Sequence, residues 1–308
     1  MTPTTLRLTA LVLRLDHEAV RLCGLLADAA IPHLLLKGPA LQQWLYPTEL
    51  RPYGDIDLLV PRSRQVQALS LLAGQGYTDV DFEVSPLETA GHARTLVAGD
   101  GLTVDLHTRL HSTTAGGDVV WQVLSEGAQH LALAAGTVPV CAVVPQLLVV
   151  VLHAAQHGST ETKPLEDLHR AALVATDAQF HLAAGLAARS GAAGSFAAGL
   201  RLHPGLVARL PQLIEAPRNL LVRARAGGGR DVPGVLVLAR VRSAGWRRGL
   251  PIALRAAWPT RAFLQTGIDP AVSRRRGWVL RARLGRAGYQ AQRTSAAVRA
   301  LWALRRGG

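Results

Sequence analysis

Apolar residues recur at helical spacing through the first thirty positions, at Leu8, Leu11, Val12, Leu15, Val20, Leu22, Leu25 and Leu26. Steps of three and four predict one or two amphipathic helices over residues 4–29. Ile31-Pro32 interrupts them, and His33 to Leu36 reads as a first short strand. A helix is predicted from Ala40 to Leu45, ending near Tyr46-Pro47. Ile56, Leu58, Leu59 and Val60 then predict a buried strand, bounded by Pro52-Tyr53-Gly54 and Pro61. The next helix should start with Ser63 as N-cap and reach Gly74, with Val66, Leu69, Leu72 and Ala73 inward. Tyr77 to Val84 reads as a strand, and Arg94 to Ala98 should pair with Leu102 to Thr108 through Gly99-Asp100-Gly101. A short helix over Val119–Leu124 precedes a second hairpin, Gln129–Leu133 with Thr137–Val143 around Gly136. Beyond Pro145 the period stays helical, with Leu147, Leu148, Val151 and Leu152 on one face. Further helices are predicted over 165–175, 179–188 and 193–202, and no repeat of fixed period occurs.

Composition narrows the class. The 308 residues can bury a sizeable core, and the abundance of Ala, Leu, Val and Gly excludes general disorder. Two distant cysteines, Cys23 and Cys141, match no metal-ligand spacing and read as small buried hydrophobes of a cytoplasmic protein. Arg7 and Arg14 interrupt any apolar N-terminal run, so no signal peptide is expected. The most apolar stretch, Leu131 to Leu152, contains Pro139 and Pro145 and reads as hairpin plus core helix, not a membrane span. The net charge of +13 is uneven. Residues 218–308 hold 20 arginines, no lysine and two acids, a net +18, whereas residues 1–217 hold 14 basic against 19 acidic residues, a net −5. That asymmetry points to a polyanion partner: nucleic acid, an acidic protein or an anionic membrane. Arginine- and alanine-rich helices from coding bias are the plainer reading. Trp246, Trp258, Trp278 and Trp302 lie among these arginines, as stacking platforms or simply as core.

The candidate chemistry sits in Thr48 to Val60. Asp55 and Asp57 interrupt an otherwise apolar strand, and residues two apart project to one face about 7 Å apart. Unrelieved, two such carboxylates repel and resist desolvation. A divalent cation with a taste for hard oxygen ligands, magnesium above all, removes the conflict. A solvent-facing pair at a strand end, neutralised by Arg51, is the competing reading. Lys37-Gly38 follows the first strand, and such a turn ahead of a helix suits a phosphate. Asp105 and His107 share a face of the later strand Leu102-Thr-Val-Asp-Leu-His, and His107 is either near the site or a core histidine. His153 and His157 lie four apart on one helix without the Glu of a metalloprotease motif, as cleft neighbours or structural residues.

Taken together, LLLKGPAL, WLYP, RPYGDIDLLV, TVDLH and HAAQHG occur in the order and spacing of one branch of the polymerase-β-type nucleotidyltransferases, the "nucleotidyltransferase family protein" branch. The resemblance spans about residues 30 to 170. It departs from the wider superfamily in having Lys37-Gly38 where Gly-Ser is usual. It implies an α+β fold: a polymerase-β-like core with a mixed or antiparallel sheet and flanking helices, followed by an all-helical C-terminal region. N-terminal helices over 1–29 would pack on a catalytic domain at 30–143, with helical regions at 144–217 and 218–308 beyond it. It further implies that Asp55, Asp57 and Asp105 bind two magnesium ions and a nucleoside triphosphate. Asp105 would also help to deprotonate the acceptor hydroxyl, and Lys37 and Gly38 would meet the phosphates. Arg51 would clamp a phosphate or neutralise the acidic pair, and Asp167 falls where the family also has an Asp. The implied reaction moves a nucleoside monophosphate to an acceptor hydroxyl of a small molecule, sugar, peptide or protein. The rivals are a toxin-like enzyme acting on RNA or tRNA, and a non-catalytic nucleotide-binding scaffold.

Overall fold

The structure, a computed structural model, describes residues 3–79, 93–214 and scattered residues between 250 and 302. The N-terminal pattern forms one helix, α1 (Pro3–Asp28), whose Val12, Leu15, Ala19, Leu22 and Leu26 are buried at steps of three and four. The strands are β1 (Leu34–Leu35), β2 (Ile56–Leu59), β3 (Tyr77–Asp79), β4 (Ala93–Ala98), β5 (Thr103–His107), β6 (Gln129–Leu133) and β7 (Gly136–Val140). They form one mixed sheet in the order β3-β4-β5-β2-β1-β7-β6. β1 runs antiparallel to β2 and parallel to β7, and β2 runs parallel to β5. The remaining neighbours are antiparallel hairpin pairs.

Strand alternation sorts the side chains onto two faces. Leu35, Ile56, Leu58, Val104, Leu106 and Val138 pack with α1 into one core. Leu34, Leu36 and Leu59 face the other way, into a second core built on helices. These helices are α2 (Pro39–Leu45), α4 (Gly117–Ser125), α5 (Val143–His157), α6 (Thr162–Val174), α7 (Asp177–Arg189), α8 (Ala193–Leu200) and α9 (Pro204–Arg209), with α3 (Gln65–Gly74) on the α1 side. α5 is the axis of that layer. All eight residues from Pro145 to Leu152 are buried, and α6, α7 and α8 pack around it. A helix apolar all round has to be central. At about 1.5–3 kcal/mol for each large apolar side chain buried, α5 is a major source of stability. Gly199 of α8 lies so close that an added Cβ would sit 2.3 Å from the Val151 carbonyl oxygen.

Two expectations fail at α3. A 3-10 turn over Arg62–Arg64 precedes it and Ser63 makes no cap; the Ser63 amide instead reaches the Asp118 carboxylate at 3.4 Å. The buried residues are Ala68 and Leu72, whereas Val66 is 77% exposed and Ala73 is exposed. At about 100° per residue the 66–69–73 stripe is rotated by roughly a third of a turn from the 68–72 stripe. Leu72 is inward as expected and Leu69 packs against the same core, so only Val66 and Ala73 depart from the expected stripe. Only Tyr77–Asp79 of the strand expected to reach Val84 falls within the described residues. The arginine-rich region 218–308 lies almost wholly outside them, as does Trp246. Of the other tryptophans there, Trp278 is buried while Trp258 and Trp302 are about half exposed. No helix among the described residues is long and apolar enough to cross a membrane.

Candidate active site

The site is assembled by strand pairing. The Leu36 amide donates to the Asp57 carbonyl at 2.9 Å, which fixes Lys37 beside the middle of β2. In the parallel β2–β5 ladder Asp57 lies opposite Asp105, and Leu59 opposite His107. Asp57 has the parity of Leu59, so Asp57, Asp105 and His107 emerge on the helical side of the sheet. Asp55 precedes β2 by one residue and is half-buried.

Lys37, Asp57 and His107 form one hydrogen-bonded network. Lys37 Nζ donates to Asp57 Oδ1 at 2.8 Å, and His107 Nε2 lies 2.9 Å from the same oxygen. Because an ionised carboxylate only accepts, His107 Nε2 carries the proton in that bond. The Thr95 hydroxyl, opposite Asp105 on β4, donates to Asp105 Oδ1 at 2.7 Å. Gly38 follows Lys37 at φ 59°, ψ −118°, with the Tyr53 ring 3.3 Å from where a Cβ would lie. That backbone needs glycine, and it opens α2.

Burial pushes the Asp55 carboxyl up from its ordinary range, and the Asp57 charge adds to this against the pull of Lys37. Burial acts the same way on Asp57, yet the Lys37 charge and the His107 hydrogen bond outweigh it and hold Asp57 well below the usual carboxylate range. Lys37 in turn keeps its proton, since Asp57 more than offsets the desolvation. Three carboxylates face one lysine. One ligand atom from each of Asp57, Asp105 and His107 falls within 4.8 Å of the others. Both bonds to Asp57 fall on Oδ1, so Oδ2 is the oxygen available to a cation. The oxygen-rich, negatively charged donor set therefore fits a divalent ion.

Arg51 is held by a carboxylate outside the Asp55–Asp57 pair. It is buried with Asp167 of α6, at 2% and 1% exposure, in a two-pronged pair: Nε to Oδ1 at 2.8 Å and Nη2 to Oδ2 at 2.6 Å. The Tyr46 hydroxyl donates to the same Asp167 Oδ1 at 2.8 Å. Gln42 of α2 ties down the intervening loop. Its amide donates to the Tyr46 and Glu49 carbonyls, and its oxygen accepts from the Arg51 amide, each at 2.6 Å. Arg51, Asp167, Tyr46 and Gln42 thus lock the sheet's helical wall to the segment leading into β2.

His153 projects from α5 toward this region, where burial and the Lys37 charge hold it well below its ordinary value of 6.5. Its Nδ1 is buried without a hydrogen-bond partner among the described residues. His157 packs edge-on against it, centroids 4.7 Å apart, and its Nδ1 meets Glu161 at 2.8 Å. Sequence reasoning missed Lys163, Thr95, Tyr46 and Gln42. The hairpin turn at 99–101 already implies that Thr95 faces Asp105. Lys163, four residues before Asp167, shares its helix face.

No curated protein matches the chain. Two of the solved structures similar to it are the antibiotic-resistance factor ANT(2'')-Ia and an antigenic nucleotidyltransferase-like protein from Paracoccidioides brasiliensis. The first is 14% identical with a TM-score of 0.42, covering 56% of this chain and 92% of the other. The second is 16% identical with a TM-score of 0.38, covering 66% and 89%. The sequence pattern of the uncharacterised nucleotidyltransferase family matches residues 3–203, a span that holds every described strand and every candidate site residue. The chain belongs to that family.

Proposed function

We propose that the protein is a magnesium-dependent enzyme that moves a nucleoside monophosphate from a nucleoside triphosphate to an acceptor hydroxyl and releases pyrophosphate. The observation that carries this reading is the in-register pair Asp57–Asp105 on adjacent parallel strands, with Asp55 beside it and Lys37 on Asp57 Oδ1. Asp55, Asp57 and Asp105 would hold two magnesium ions, which when bound neutralise charge on the attacking and leaving oxygens. In the reaction a bond forms between the acceptor oxygen and the α-phosphorus, and the bond from that phosphorus to the bridging β-oxygen breaks. The acceptor proton passes to Asp105. Thr95 holds one Asp105 oxygen, which leaves the other to take that proton. The positive φ of Gly38 turns its backbone past Lys37, and Lys37 and the Gly38 amide would meet the phosphates. His107 orients the Asp57 carboxylate, and the Arg51–Asp167 pair fixes the helical wall against it.

The test is thermal stabilisation by each nucleoside triphosphate, with and without magnesium, in the wild type and in Asp55→Ala/Asp57→Ala. A ligand at a hundredfold excess over its dissociation constant stabilises by about 2.7 kcal/mol. The expected shift requires magnesium and disappears in the double variant. If no triphosphate raises the melting point of the wild type, the reading fails at its first step.

A further inference from the structure

The reaction proposed above leaves residues 218–308 without a task. With 20 arginines against two acids this region carries one sign of charge, so its partner must be uniformly negative. Its described residues make a second demand. Leu250, Leu254 and Trp258 follow one another at steps of four, and the Trp258 amide donates to the Leu254 carbonyl at 2.8 Å, the bond of a helical turn. Both leucines are more than half exposed and Trp258 nearly half.

Residues 278–285 are helical and repeat the pattern. Leu280 and Leu284 are also more than half exposed, whereas Trp278 is buried. At about 100° per residue the two leucines lie about 40° apart, and Arg281 and Arg283 flank them at about 60° on either side. Trp278 falls on the opposite side of the helix. This helix therefore buries one apolar face and turns a second, rimmed with arginine, to solvent. The Arg283 guanidinium lies over the Trp258 ring, 5.4 Å from its centroid, which brings the two stripes together.

Exposed leucines gathered in this way mark a contact surface. Nucleic acid supplies phosphates but no hydrocarbon, and its bases call for aromatic stacking rather than leucine. Protein surfaces interleave both signs of charge, which suits a region almost free of acids poorly. An anionic bilayer meets both demands, with phosphates at the level of the arginines and acyl chains beneath them. Tryptophan favours the boundary between the two.

We propose that the C-terminal region lies in the surface of an anionic lipid bilayer, with Leu250, Leu254, Leu280 and Leu284 at the acyl boundary and the arginines on lipid phosphates. It would hold the catalytic core at a membrane without crossing it.

The test is flotation of the full-length protein with vesicles of equimolar phosphatidylglycerol and phosphatidylcholine, and with vesicles of phosphatidylcholine alone. Filter binding to polyuridylate is run beside it. The variants are Leu250→Gln/Leu254→Gln and Leu280→Gln/Leu284→Gln, which change no charge, and Leu280→Phe/Leu284→Phe, which keeps the apolar surface. Leu173→Gln/Leu182→Gln, at exposed leucines outside the region, is the control. The wild type should float with the anionic vesicles and not with the neutral ones. Each glutamine pair in the region should weaken that binding about tenfold, while the phenylalanine pair and the control should keep it. Undiminished binding by both glutamine pairs overturns the proposal, because arginine–phosphate attraction alone would then suffice. Loss in the phenylalanine pair as well overturns it, since the effect would not follow apolar contact. Binding to polyuridylate without binding to vesicles assigns the region to nucleic acid, and binding to neither leaves an acidic protein as its partner; both overturn the proposal.

Discussion

Truncating either member of the Arg51–Asp167 pair should cost far more than its surface position in the sequence suggests. At 2% and 1% exposure neither charge can be rehydrated when its partner is removed. Arg51→Met leaves Asp167 with only the Tyr46 hydroxyl, and Asp167→Leu strands a guanidinium. Each single change should destabilise by about 3–5 kcal/mol, the usual cost of an orphaned buried charge. Tyr46→Phe removes one hydrogen bond to a charged acceptor and should cost about 1.5–3 kcal/mol. The double variant Arg51→Met/Asp167→Leu removes both charges together and should be more stable than either single variant. Urea denaturation gives each value from the midpoint at constant slope. The exposed pair Arg189–Glu126, at 53% and 63% exposure, is the internal contrast, and breaking it should change stability by less than about 1 kcal/mol. Single-variant losses below about 1 kcal/mol, or strict additivity in the double variant, would refute the claim that this pair is a desolvated lock.

Three further outcomes are expected. Gly38→Ala must adopt φ 59° against the Tyr53 ring, so it should lose about 1–3 kcal/mol in denaturant and lose the magnesium-dependent nucleotide shift; an unchanged variant rules out the strained turn. The His153 ring is held neutral in the fold, so the unfolded chain binds its proton more readily. Stability should therefore fall as pH drops through 6.5, by about 1 kcal/mol between pH 7.5 and 5.5. His153→Gln should lack that increment, and an identical pH dependence in variant and wild type would count against it. Burial pushes the thiols of Cys23 and Cys141 up to about 12, so neither should react with Ellman's reagent at pH 8 until the protein is unfolded. Prompt labelling of native protein would contradict their burial.

Much of this was legible in the sequence because it depends on local pattern. Alternation along Ile56 to Val60 set the two sheet faces, and the 99–101 turn set the register that brings Thr95 to Asp105. The Asp-x-Asp spacing located the carboxylates before any tertiary information. What was not legible depends on long-range partners. Arg51 stands four residues before Asp55, and nothing nearby indicates that its partner is 116 positions away on α6. On α3 the periodicity locates Leu69 and Leu72 on the core side, while the burial of Ala68 in place of Val66 and Ala73 depends on how the helix sits against the sheet. A cavity lined by Lys163 and His169 arises only where the 46–52 segment meets α6 and the turn between α8 and α9.

One consequence of β2 remains. Its residues alternate between Ile56 and Leu58, which pack under α1, and Asp57, which faces the helices. Because the period is two, a shift of β2 by one residue against β1 and β5 would swap the faces. It would thrust a carboxylate into the α1 core while leucine replaced it beside Lys37. A miswired site would then be a protein that does not fold, so quality control by chaperones and proteases would clear the error before it met a nucleotide.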